Sequence, residues 1–322
     1  MRAALLGGFG NAPEAADVSP PEGGSGLALV RVTAAPINRL DLLIGSGTFY
    51  GGTPEPPYVP GVEGVGSVIE AQGLEPGTRV WFSFQRFDGL RGSMAELCAV
   101  DEQRTVVIEH DLDDGVAAAI GLTGLAAWMS LSRRGRLESG EQVLVLGAAG
   151  AVGQIALQAA RILGARRVIG ASRSDEGMAV AERLGADAVV DCSGGDVDTI
   201  AARIEGACDG PLALVLDPVW GGLASAALRA LSPGGRLVNL GSSAGPVAPL
   251  ESAVIRSKSL SVLGYTNVAL SFDDIRAGLR SLHGHAAEGR ITPIVDRVGL
   301  DDVGFAWARA GDSPHRKLVV AP

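Results

Sequence analysis

Hydrophobic and polar positions fall into two textures along this chain. Up to about residue 118, short apolar runs alternate with turn-formers. Residues 27–32 (Leu-Ala-Leu-Val-Arg-Val) read as a strand, 63–71 as a second rich in Val and Gly, and 77–82 as a third after a Pro-Gly turn. Residues 51–60 hold Pro54, Pro56, Pro57 and Pro60, and the N–H that proline lacks makes this stretch an irregular loop. Beyond Asp113 the period changes. Residues 116–131 read as helix by their Ala and Leu content. Strands at 142–146, 167–171, 188–190, 212–216 and 236–240 follow, with helices at 153–163 and 175–184, the latter stopped by Gly185. That rhythm predicts an α/β unit with a doubly wound parallel sheet behind an all-β, barrel-like unit. After about Leu260 the alternation fades into helices near 273–282 and 300–310 and a last strand at 317–320.

Composition narrows the picture. The 322 residues suffice for two domains, and 47% of them are apolar, which excludes a disordered chain. A formal charge of −9 without a basic cluster argues against a nucleic-acid partner. The most apolar window, 143–160, carries Gln154 and Gln158 and is broken by Gly147, Gly150 and Gly153, so a buried strand turning into a buried helix fits it and a membrane span does not. The N-terminal run Met1-Arg2-Ala3-Ala4-Leu5-Leu6 is too short for the apolar region of a signal peptide. Cys98, Cys192 and Cys208 form no CxxC pair, and their odd count fits a reducing cytoplasmic setting rather than a disulfide framework.

The central motif is Gly147-Ala148-Ala149-Gly150-Ala151-Val152-Gly153, a GxxGxxG spacing. With 46 glycines, about one such triplet would arise by chance, so its position carries the argument. It directly follows the apolar strand 143–146 and directly opens a helix. There glycines let the backbone turn tightly, and free N–H groups at the helix start face a pyrophosphate. A fold of this kind that selects NAD has an acidic residue at the end of the next strand. Here that place reads Ala171-Ser172-Arg173-Ser174. The Arg173 guanidinium suits a 2′-phosphate, Ser172 and Ser174 add hydroxyls, and Asp175 and Glu176 fall one step later, in the first turn of a helix. The predicted cofactor is NADPH.

Several ordered segments resemble the medium-chain dehydrogenase/reductase superfamily, in its zinc-free quinone oxidoreductase branch. They are the Asn-containing loop Ala34-Ala35-Pro36-Ile37-Asn38-Arg39-Leu40-Asp41, the strand Pro60-Gly61-Val62-Glu63-Gly64-Val65-Gly66, the helix segment Gly121-Leu122-Thr123-Gly124, the Gly147 turn, Asp217-Pro218-Val219, and Arg256-Ser257-Lys258-Ser259-Leu260. The likeness spans nearly the whole chain. It implies a Rossmann NADP-binding domain (119–260) inserted into a GroES-like β-barrel domain made of 1–118 and 261–322, with nicotinamide and substrate in the cleft. It also implies roles. Asn38 and Thr123 border the nicotinamide, and Ala149, Gly150, Ala151, Val152 and Gly153 hold the pyrophosphate. Ser172 and Arg173 meet the adenosine phosphate, while Asn239, Leu240, Gly241 and Ser242 line the nicotinamide amide. Tyr265 and Thr266 approach from the loop after Gly264. Zinc-dependent members place Cys and His where this chain has Asn38 and Val62, so no metal is expected. His283 and His285, spaced like a ligand pair, read as a polar surface turn. The chain departs from the pattern at Cys192, where many members carry Tyr, and in 315–319, which lacks the usual glycine. The loop Gly45-Ser46-Gly47-Thr48-Phe49-Tyr50-Gly51 is one residue out of step.

Without a Lewis acid, reduction is easiest for acceptors that are already electrophilic, such as quinones, enones or enoyl thioesters. In enoyl reductases that resemble this chain a loop tyrosine supplies the proton, which makes Tyr50 the candidate catalytic residue; solvent is the alternative source. Three classes stay open: an NADPH-dependent quinone or enone reductase acting on small molecules, an enoyl-thioester reductase of lipid or polyketide assembly, and a protein that holds NADPH without turnover. The resemblance also implies a homodimer through an edge strand, at 259–263.

Overall fold

The computed structural model describes residues 1–84, 92–312 and 315–322. Its chain forms two compact units. One comprises Met1–Leu122, Phe272–Ala287 and Pro293–Pro322; the other comprises Thr123–Ser271 and Glu288–Thr292.

The first unit is mostly antiparallel β-structure. Leu27–Pro36 is its longest strand and pairs with Glu63–Glu70 and with Leu97–Asp101. Arg79–Ser83 extends the sheet beyond Glu63–Glu70, and Thr105–Val107 follows it. On the other side the chain's last strand, Lys317–Ala321, adds to Leu27–Pro36, and Val295–Gly299 lies parallel to it. The strand Leu27–Pro36 alternates between buried and partly exposed positions and drives Ala28, Val30 and Val32 into a core with Leu6, Phe82, Met94 and Trp307. Residues 51–60 form no helix or strand beyond one isolated bridge from Tyr58 to Leu6.

The second unit is a six-stranded parallel sheet in the order Ala188–Asp191, Arg167–Ser172, Gln142–Leu146, Leu212–Asp217, Arg236–Asn239, Ser261–Gly264. All five residues of Gln142–Leu146 are buried. A central parallel strand is covered on both faces, and this is why the sequence there runs apolar without alternation. Strand order reverses between Gln142–Leu146 and Leu212–Asp217, and in such sheets ligands bind at the carboxyl ends beside that switch point.

Three features differ from the sequence expectation. The single helix expected at 116–131 is two, Asp114–Ala119 and Leu122–Met129. The break falls where the Leu122 N–H leaves the helical ladder and donates to the Glu63 carboxylate at 2.8 Å. The parallel sheet continues past residue 260: Ser261–Gly264 pairs with Arg236–Asn239, so the return to the first unit comes at Phe272. The His283 region is no surface turn. Both histidines lie on the helix Phe272–Ala287, with His283 buried and its pKa pushed down to about 4 by burial, with His110 and Arg79 nearby.

Candidate functional site

In the parallel-sheet unit the site begins where strand Gln142–Leu146 ends. Gly147 turns the chain at φ +60, and the Gly150 N–H donates to the Gly147 carbonyl at 2.9 Å. Gly150 is the N-cap of helix Ala151–Ile162 and offers no side chain to its first turn, which holds no acidic residue either. The Gln154 amide donates to the Ala149 carbonyl at 2.8 Å. The inner carbonyls are thus tied down, while the first-turn N–H groups of Ala151 and Val152 have no acceptor within the helix. A Cβ at Gly153 would collide with the Gly147 carbonyl and come within 2.7 Å of the Ala148 backbone. Glycine there lets the helix start against the turn. The cradle, its N–H groups and the positive helix end fit a diphosphate.

The neighbouring strand delivers the next residues. Ala148 N–H donates to the Ala171 carbonyl at 3.0 Å, which fixes the turn beside the end of Arg167–Ser172. Ser172 is buried, Arg173 is exposed, and among the described residues Arg173 pairs with no carboxylate. The Ser174 hydroxyl accepts from the Gly177 N–H and caps the next helix, whose first turn holds Asp175 and Glu176. An unpaired guanidinium beside a diphosphate cradle suits an extra phosphate.

Across the switch point, Asp217 is fully buried at the end of Leu212–Asp217. Its carboxylate accepts from Val219 N–H at 2.8 Å and Trp220 N–H at 2.7 Å, and burial pushes its pKa up against those donors. Asn239 donates to the Asp217 carbonyl at 3.2 Å and to the Gly241 carbonyl at 2.7 Å. This holds Asn239, Leu240, Gly241 and Ser242 beside Pro218 and Val219, and a Cβ on Gly147 would lie 2.9 Å from Val219. Tyr265 joins them, since its N–H donates to the Asn239 carbonyl at 2.8 Å. Its hydroxyl points inward, 2.7 Å from Asn267 and 3.4 Å from the Leu125 carbonyl of the helix that carries Thr123. The Thr266 hydroxyl accepts from Val268 N–H at 3.3 Å, a local cap.

In the β unit, Asn38 sits in a buried charged cluster that sequence reasoning missed. Glu63 is 0% exposed, Asp41 2%, Lys317 5% and Asn38 7%. Lys317 Nζ donates to Asn38 Oδ1 at 2.6 Å, and Asn38 Nδ2 donates to Glu63 Oε1 at 2.9 Å. The other Glu63 oxygen accepts from Trp81 Nε1 at 2.7 Å and from Leu122 N–H. Asp41, in the first turn of helix Arg39–Gly45, accepts the backbone N–H groups of Asn38 at 2.7 Å and Val62 at 2.9 Å. Burial raises the Asp41 pKa to about 7, raises that of Glu63 and lowers that of Lys317; the opposite charges and the donors work against each shift. A Cβ on Gly121 would collide with the Glu63 carboxylate, so glycine lets that segment approach. The signal in sequence was an acid and a lysine set in apolar strands, Glu63 after Val62 and Lys317 before Leu318-Val319-Val320.

Tyr50 lies apart from this cluster, 87% exposed, its ring tilted against Phe49 at 4.8 Å between centroids. The positions that would hold catalytic zinc do not fit a metal. Val62 has no donor atom, Asn38 Oδ1 faces an ammonium, and among the described residues no three His, Cys, Asp or Glu gather as ligands.

Comparison with known proteins agrees with this architecture. The alcohol dehydrogenase GroES-like domain matches residues 24–110, and the family described as zinc-binding dehydrogenase matches residues 151–283. Quinone oxidoreductase-like protein 2 of Bos taurus is 30% identical over 286 residues, covering 86% of this chain and 80% of that one. The chain belongs to the medium-chain dehydrogenase/reductase superfamily, in its quinone oxidoreductase-like branch. Membership gives it a GroES-like domain and a Rossmann-type sheet, in a superfamily of dehydrogenases and reductases. Among solved structures, the quinone oxidoreductase of Thermus thermophilus, also solved as its complex with NADPH, superposes with a TM-score of 0.84 at 28% identity over the full length of both chains. One polypeptide of the phenolphthiocerol/phthiocerol polyketide synthase of Mycobacterium tuberculosis is 32% identical over 302 residues. That match covers 90% of this chain, which spans only 13% of the synthase polypeptide's length.

Proposed function

We propose that this oxidoreductase uses NADPH, works without zinc, and reduces quinones or α,β-unsaturated carbonyls. The observation that carries the cofactor assignment is the glycine cradle at the switch point with an unpaired Arg173 beside it. Bound NADPH supplies the hydride. Ala149, Gly150, Ala151, Val152 and Gly153 hold its diphosphate through backbone N–H groups, and Ser172 and Arg173 hold the adenosine phosphate. Asn239, Leu240, Gly241 and Ser242, with Tyr265, Thr266 and Thr123, border the nicotinamide, and Asn38 is assigned to it on the family resemblance alone.

Without a Lewis acid, the acceptor must be electrophilic on its own. A quinone accepts the hydride without a positioned acid. On an enone the hydride goes to the β-carbon, and a proton must reach the α-carbon or the enolate oxygen. Tyr50 is the proposed donor. Tyr50→Phe should slow enone turnover and leave quinone turnover unchanged; equal rates on enones would assign the proton to solvent.

A second reading, enoyl-thioester reduction, is favoured by the synthase match. The separating experiment follows NADPH absorbance with quinones, enones and enoyl thioesters in parallel. Turnover confined to thioesters would replace the first reading with the second. NADPH binding with no loss of absorbance on any acceptor would leave a binding protein. We further assign the protein to the cytosol, in keeping with an odd cysteine count and no CxxC pair, and to a homodimer through the exposed edge strand Ser261–Gly264. Val262→Lys should convert the dimer to monomer in light scattering.

A further inference from the structure

We propose that Lys317 is a positioning residue for Asn38: with Glu63 opposite, its ammonium fixes which way the Asn38 carboxamide faces. This rests on the proposed nicotinamide contact of Asn38.

The polarity can be followed from the outside inward. Trp81 Nε1 and Leu122 N–H are donors with no alternative, and both point at Glu63 Oε2. Lys317, at the far end, is also a donor only. Between them a carboxamide has one accepting and one donating end. Its oxygen must face Lys317 at 2.6 Å, so its nitrogen faces Glu63 at 2.9 Å, and Glu63 must offer an ionised oxygen to receive it. Rotation by half a turn would set –NH2 against –NH3⁺ and an amide oxygen against a carboxylate, all of it buried. Two buried charges far apart in sequence thus select one of two amide orientations that are equal in shape, in the same sense as the Pro36 carbonyl 3.4 Å from Asn38 Nδ2.

Substitution can reverse the choice. In Glu63→Gln, the single amide oxygen is taken by Trp81 and Leu122, so the new –NH2 faces Asn38. Asn38 can answer only with its oxygen, which turns its own –NH2 onto Lys317. Adding Lys317→Met removes that conflict while leaving the carboxamide reversed. The test compares wild type, Glu63→Gln, Lys317→Met and the double variant by thermal unfolding, NADPH binding and steady-state turnover of a quinone. Expected are a marked stability loss in Glu63→Gln and its recovery in the double variant. NADPH affinity in the double variant should stay within about threefold of wild type, while kcat remains down by about tenfold or more. A double variant that recovers both stability and kcat would overturn the proposal, because a purely structural cluster predicts that result.

A measurement on the unaltered protein does not depend on any variant folding. The chain has four asparagines, Asn11, Asn38, Asn239 and Asn267. Asparagine-selective 15N labelling should show slow hydrogen exchange for the side-chain amides of Asn38 and Asn239, both bonded to carboxylates. In the double variant the Asn38 pair should shift and exchange faster. Free exchange of three or more pairs in wild type, or an unshifted Asn38 pair in the double variant, would overturn the clamp. This readout needs no cofactor, so failure to bind NADPH would count against the proposed function alone.

Discussion

The glycine turn after residue 146 and the charged cluster around Glu63 solve opposite problems. The turn is made of backbone. It leaves N–H groups without partners, takes charge from a helix end and keeps side chains out of the way. The cluster is made of side chains. It buries two carboxylates and an ammonium and gives their polar atoms hydrogen-bond partners. One leaves donors for the proposed diphosphate, whereas the other matches its donors and acceptors among its own members. Removing atoms should therefore cost most in the cluster, and adding atoms should cost most in the turn.

The largest effect should come from breaking the cluster. Glu63→Ala takes the carboxylate away from Asn38 Nδ2, Trp81 Nε1 and the Leu122 N–H and leaves the buried Lys317 ammonium without its opposing charge, and urea unfolding should show a loss of about 3–5 kcal/mol. On the other side, Arg173→Ala removes an exposed group that pairs with no carboxylate among the described residues. Stability should be unchanged, while NADPH affinity falls by about 1.5–3 kcal/mol and NADH affinity does not. Equal losses for both nucleotides would refute the phosphate assignment. Within the turn, Gly153→Ala should cost about 1–3 kcal/mol of stability as well as cofactor binding, since its Cβ has no room. Gly150→Ala, whose Cβ would meet only the Gly147 carbonyl at 3.3 Å, should leave the melting temperature nearly unchanged and weaken NADPH.

The most gradual effect is a pH dependence outside both regions. His283 has a folded pKa of about 4 against an ordinary 6.5. Below 6.5 the unfolded chain takes up a proton that the folded protein refuses. Stability should therefore fall as pH drops from 6.5 towards 4, by at most about 1.4 kcal/mol per pH unit. His283→Leu should flatten that slope in melts across the interval. Asp41, raised to about 7, acts in the other sense: its share of stability is present below its ordinary 3.8 and is lost as pH rises through 7. The His283 variant read against wild type isolates the histidine.

The same contrast explains what the sequence disclosed. The turn is contiguous, residues 147–153 between an apolar strand and an apolar helix, so spacing and position sufficed to find it. Arg173 and Ser172 follow one strand later and were equally accessible. The cluster joins residue 38 to 63, 81, 122 and 317, and no local pattern announces such a meeting. Asn38 came to notice through family resemblance, but the partners that fix it did not. The helix break at Leu122 was hidden for the same reason, because its cause is a carboxylate 59 residues away. The edge strand Ser261–Gly264 was expected at 259–263 from the resemblance alone, because a short and exposed strand lacks the apolar pattern of its buried neighbours.

The β unit is stitched from three stretches of chain, Met1–Leu122, Phe272–Ala287 and Pro293–Pro322. A ribosome therefore makes every residue of the parallel-sheet unit before it makes Lys317. Until then Glu63 has no cation to accompany it out of water, and the strand bearing it has reason to stay hydrated. The first unit to be started is the last whose residues are all available, since the strand that brings Lys317 to Glu63 is made after the whole of the other unit.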